Sequence, residues 1–91
     1  MNISAKVGDE RVADVRFDSE RLIADLADGR TIAVPLASYP RLQGATPAQR
    51  ANWIEAGGGF GIHWPDVDED LGVAGLLRGA PASEPKRRAA S

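Results

Sequence analysis

The chain has 91 residues, a hydrophobic fraction of 43% and a formal charge of -2, enough for one modest core and too little for two. The absence of cysteine excludes disulfides, thiol catalysis and thiolate metal sites together, and the mild acidity supplies no overall basic field to attract nucleic acid. No apolar run approaches the roughly 20 residues a membrane helix needs, and no basic-then-apolar opening points to export, so the expectation is a cytoplasmic protein.

Ile3, Ala5 and Val7 alternate before the Gly8-Asp9 turn signal, which suggests an edge strand or arm over Met1 to Val7. From Arg11 to Phe17 the alternation puts Ala13, Val15 and Phe17 on one face, and Leu22, Ala24 and Leu26 repeat it after a polar break. A short loop there pairs Phe17 with Leu22. The next turn is more instructive. A two-residue Asp28-Gly29 hairpin would set Ile32 and Val34 opposite Asp25 and Ile23, on the wrong face. A three-residue loop, Ala27-Asp28-Gly29, with Gly29 left-handed, instead pairs Leu26 with Arg30, Ala24 with Ile32 and Leu22 with Val34. Thr31 to Pro35 then completes a meander.

Ser38 to Leu42 reads as a short helical turn that sends Tyr39 and Leu42 to the core. Thr46-Pro47-Ala48-Gln49 is a capping box with proline at the first helical position, so a helix is expected from Pro47 to about Ala56, with Ala51 and Ile54 on one face. Gly57-Gly58-Gly59 then loops into a strand in which Phe60, Ile62 and Trp64 share the apolar face and His63 points away. Pro65 closes that strand. Leu71 to Gly79 reads as a short helix with Gly72 as N-cap, Gly79 as the stop, and Leu71 and Leu76 as a hydrophobic staple. Ala80 to Ser91 lacks apolar periodicity and reads as a disordered tail. The expectation is therefore a single α+β domain over 1–79: a small antiparallel meander joined in one sheet by the Phe60 to Trp64 strand and covered by two short helices.

His63-Trp64-Pro65, Val67-Asp68-Glu69-Asp70-Leu71, Gly75-Leu76-Leu77 and Gly79, with Asp28-Gly29-Arg30, Val34-Pro35-Leu36 and Tyr39-Pro40-Arg41-Leu42, resemble a family of short bacterial proteins catalogued as domain of unknown function 2442. The resemblance spans Val12 to Gly79. It implies a small α+β domain, sometimes fused to a helix-turn-helix and often encoded beside a second small protein in pairs of toxin–antitoxin type. It brings no catalytic residues with it. This chain shows no fused helix-turn-helix, which weakens a direct role on DNA.

The densest chemistry lies in Asp66, Asp68, Glu69 and Asp70. Asp66, Asp68 and Asp70 fall at alternate positions, as at the start of an EF-hand loop, but Leu71 and Leu77 stand where that loop needs glycine and a bidentate glutamate. His63 beside these carboxylates could act as a general base, yet no nucleophile accompanies it. The glycine run follows a helix and precedes a strand, the reverse of a phosphate loop, and no cofactor is expected. The leading expectation is a non-enzymatic protein-interaction module. Its candidate contact residues are Trp53, His63, Trp64, Asp66, Asp68, Glu69 and Asp70, with the two tryptophans readable equally as core. By resemblance its partner is a small co-encoded protein, a toxin for instance, whose basic residues meet the acidic loop. Two other readings compete: a transcription-related DNA binder using Lys86-Arg87-Arg88 in the tail, and a metal-dependent enzyme or hydrolase centred on His63.

Overall fold

The computed structural model describes residues 8–79, so the expected Met1 to Val7 strand and the expected tail lie outside the described residues. Strands β1 (Val12–Phe17), β2 (Arg21–Leu26) and β3 (Thr31–Pro35) form an antiparallel meander. Phe17 faces Leu22, Leu22 faces Val34 and Ala24 faces Ile32, which is the face-matched register. The second turn is the bulged one: Leu26 N–H donates to the Arg30 carbonyl at 2.8 Å, Gly29 N–H donates back to Leu26 at 3.0 Å, and Gly29 sits at φ 94°.

One detail of β1 differs from the alternation. The register shifts between Val12 and Asp14, so Ala13 is exposed and Val12 turns inward with Val15. The bulge exchanges an alanine for a larger valine in the core, which removes more apolar surface from water.

A 3₁₀ turn, Leu36–Ser38, and helix α1 (Pro40–Gln43) bury Tyr39 and Leu42 as expected. Helix α2 begins with the expected capping box, Thr46 Oγ1 accepting from Gln49 N–H while Gln49 Oε1 accepts from Thr46 N–H. It does not reach Ala56. It spans Pro47–Ala51, Asn52 leaves helical space at φ -93°, ψ 71°, and Ile54–Ala56 forms strand β4. The Arg50 carbonyl, which a longer helix would offer to Ile54 N–H, instead accepts the Trp64 indole N–H at 3.0 Å, and Ile54 pairs with His63 in β4.

The second half also departs from the one-sheet expectation. β4, β5 (Gly61–Trp64) and β6 (Glu69–Gly72) make a second three-stranded antiparallel sheet. Phe60 lies outside β5 because Gly57, Gly58 and Gly59 all take positive φ and leave Phe60 capping a tight turn, 56% exposed. Helix α3 (Val73–Arg78) follows directly, with Gly72 at its start and Gly79 left-handed at its end, as expected. Leu71 and Leu76 are both buried, at the staple positions. A single apolar cluster joins the two sheets: Val12, Val15, Leu22 and Val34 from the first, Ile62, Trp64 and Leu71 from the second, closed by Leu36, Tyr39, Leu42, Val73 and Leu76. The α+β class holds, and no helix among the described residues is long and apolar enough to cross a membrane.

Candidate functional site

The predicted site residues separate according to which face of the second sheet they occupy. Ile62 pairs with Leu71 and Trp64 pairs with Glu69 on the inner face, and the structure buries both Trp64 and Glu69. This corrects the place of Glu69 among surface contact residues and makes Trp64, readable equally as contact or core, a core residue. Trp64 is fully enclosed, its ring edge-on to Phe17 at 6.2 Å and its indole N–H taken by the Arg50 carbonyl. Glu69, 3% exposed, lies close enough to Tyr39 that its charge adds to burial in pushing the phenol pKa up. Trp53 is half-buried and packs against the core cluster.

His63 and Asp70 are on the outer face. Ile54, His63 and Asp70 lie side by side across the three strands. His63 Nδ1 and Asp70 Oδ1 are 2.7 Å apart, a cross-strand pair: the alternation turns His63 outward, whereas Asp70 was expected in a loop. The loop between β5 and β6 carries Asp66 and Asp68. Asp68 holds a left-handed φ of 54°, its carbonyl accepts from Arg41 Nη1 at 2.6 Å, and Asp66 Oδ2 accepts from Asn52 Nδ2 at 3.0 Å. The acidic turn is thus fastened to α1 and to the end of α2. Its carboxylates diverge, and among the described residues no three His, Asp or Glu groups converge as a metal site.

Beside the His63–Asp70 row, Ala56, Gly61 and Gly72 stand opposite one another across the strands. They floor a trough of about 290 Å³ flanked by Phe60 and Asp70. A Cβ at Gly72 would meet nothing within 4 Å. Phe60 and Ile54, 56% and 52% exposed, stand out beside this bare backbone. Neither was among the expected contact residues. The signal available for β4 was Ile54-Glu55-Ala56 ahead of a glycine run and an alternating Gly-Ile-His-Trp segment, which is a hairpin pattern.

The model of a protein family described as "Protein of unknown function (DUF2442)" matches residues 12–82. The chain belongs to the DUF2442 family. A DUF2442-like relative in three dimensions is a protein of unknown function from Rhodospirillum rubrum, known from its crystal structure: it is 37% identical, with a TM-score of 0.69 over 81% of this chain and 92% of that one. An uncharacterized protein from Chromobacterium violaceum, solved by NMR in solution, shares the fold at 22% identity, with a TM-score of 0.70 over 91% of this chain and 90% of that one. No curated protein matches the chain.

Proposed function

We propose that this DUF2442 protein is a non-enzymatic protein-interaction module, the antitoxin-like member of a co-encoded pair, and that it docks through the outer face of the β4-β5-β6 sheet. The supporting observation is the make-up of this face: exposed Phe60 lines a shallow trough with Asp70 at its margin, exposed Ile54 stands in the neighbouring row beside His63, and Asp66 and Asp68 lie in the turn at the other end of the strands. Large apolar groups left in water beside a polar rim are the usual anatomy of a protein contact, and aromatics are enriched at its energetic centre. The carboxylates favour a basic partner surface and disfavour phosphate. No nucleophile accompanies the His63–Asp70 pair, which serves here as part of the contact.

The decisive measurement is calorimetry with the product of the neighbouring gene. Phe60→Ser with Ile54→Ser is expected to weaken binding about a hundredfold, and Asp66→Asn, Asp68→Asn and Asp70→Asn together to slow association and flatten its salt dependence. Deleting residues 80–91 is expected to leave both unchanged. If the tail deletion abolishes binding to DNA while the face variants leave the neighbour's affinity unchanged, the protein is a DNA binder and the interaction reading fails.

A further inference from the structure

Arg11, Arg16, Arg21 and Arg30 each meet a carboxylate. Arg50 meets none among the described residues. Its Nε donates to the Leu42 carbonyl and its Nη2 to the Gln43 carbonyl, both at 2.8 Å, and its guanidinium lies 5.6 Å from the centre of the Phe17 ring. A guanidinium carries five N–H donors, so these two bonds fix the group while leaving Nη1 available. The carbonyls at the end of α1 and the aromatic face orient the cation without cancelling its charge.

This cation borders a cleft of about 540 Å³ between the Phe17-Asp18-Ser19 turn and α2, which shares no lining residue with the trough of the docking face. Val15, Phe17, Pro47 and Ala51 give it apolar walls. Its other charges pair off: Arg16 with Asp25, and Asp18 with Arg21. One uncompensated positive charge remains in an apolar hollow on a chain of net charge -2. The volume falls within the range of small-ligand sites, about 300 to 1,000 Å³.

We infer that this cleft binds an apolar monoanion, a carboxylate on an aromatic or branched aliphatic body, with Arg50 holding the carboxylate and the Val15–Phe17 wall receiving the body. Guanidinium and carboxylate match in planar geometry, and the half-apolar lining rejects polyanions that must stay hydrated. The same chemistry is offered by a free organic acid and by the C-terminal residue of a polypeptide.

The test is an amide-resolved NMR titration of the full chain with 3-phenylpropanoate, its neutral amide, and N-acetylphenylalaninate. The acid is expected to shift Phe17, Ser19, Arg50 and Ala51 with saturation at about 1 mM, and the neutral amide to bind about tenfold or more weakly. Tighter binding of N-acetylphenylalaninate would identify a chain terminus as the source, and equal binding a free acid. Arg50→Gln should weaken the acid about tenfold or more. Because Arg50 also holds the α1 carbonyls, Ala51→Leu provides a second variant that fills the cleft from an exposed position with the guanidinium intact, and it should abolish the shifts. Equal binding of acid and amide, unchanged binding in Ala51→Leu, or no shifts at about 10 mM would overturn the inference.

Discussion

The two sheets have the same strand count and the same antiparallel pairing, yet their outer faces differ. On the first sheet Arg16 bonds Asp25, which also accepts from Thr31 Oγ1 at 2.7 Å, while Asp18 is clasped by Arg21, and Arg30 bridges Asp28 and Glu10. Most of its charges are answered locally, Asp14 being an exception among the described residues. The second sheet presents Ile54, a trough of glycine and alanine, and Phe60, with a histidine–aspartate pair as its polar feature. A surface whose groups satisfy one another has little to gain from a partner, whereas exposed apolar area gains by being covered. On the docking reading proposed above, the first sheet is scaffold and the second carries the protein contact.

The harshest way to break that division is to separate the halves. Trp64 joins them through Phe17 and the Arg50 carbonyl, so Trp64→Ala should cost about 3–5 kcal/mol in urea denaturation, enough to unfold a domain of this size. A loss below about 1 kcal/mol would show that the sheets hold independently. Within the scaffold, Gly29→Ala forces a side chain into φ 94° and should cost about 1 kcal/mol or more. An unchanged melting temperature would remove the bulged turn from the account of the register.

Acid should act on the first sheet. Asp18 is held below its ordinary 3.8 by the Glu20 N–H and then Arg21, Asp25 by Arg16 and then Thr31, and Asp28 by the Arg30 side chain and then its N–H. Each folded value is depressed, so the stability these groups contribute is present above the unfolded carboxylate range and fades as pH falls through the folded values. Carboxyl carbon shifts followed from about pH 6 to pH 2 should give midpoints below the ordinary value at all three. A midpoint at or above that value would break the local-satisfaction argument. The smallest effect on stability belongs to Phe60→Ser, which should change it by about 0.5 kcal/mol or less while weakening binding to the neighbouring gene's product. A large loss of stability there would mean that the residue supports the fold, and the contact face would lose its anchor.

The first sheet was legible because each of its turns constrained the next: apolar parity at Leu22, Ala24 and Leu26 admitted one loop length, and Gly29 stood where that loop needed it. The second sheet was hidden by local signals that tertiary contacts overrode. The Thr46 box began a helix correctly but carried no information about its end, which depends on an indole fourteen positions away. Glu69 sat in a run of carboxylates that reads as loop, though Glu69 and Leu71 alternate inward with Asp70 and Gly72 outward. Exposure of Phe60 likewise followed from where β5 begins, a boundary that alternation alone does not mark, although alternation did set Trp64 on the apolar face.

The Arg50 carbonyl has a consequence for how the chain folds. While it is unclaimed, the segment after Thr46 is free to continue winding, and every added turn moves Ile54 to Ala56 out of reach of β5. In the folded chain the indole holds that carbonyl, and Ile54–Ala56 pair with β5. A peptide of residues 45–57, which lacks both the indole and β5, should therefore wind past Asn52 in a helix-promoting solvent, where the whole protein does not.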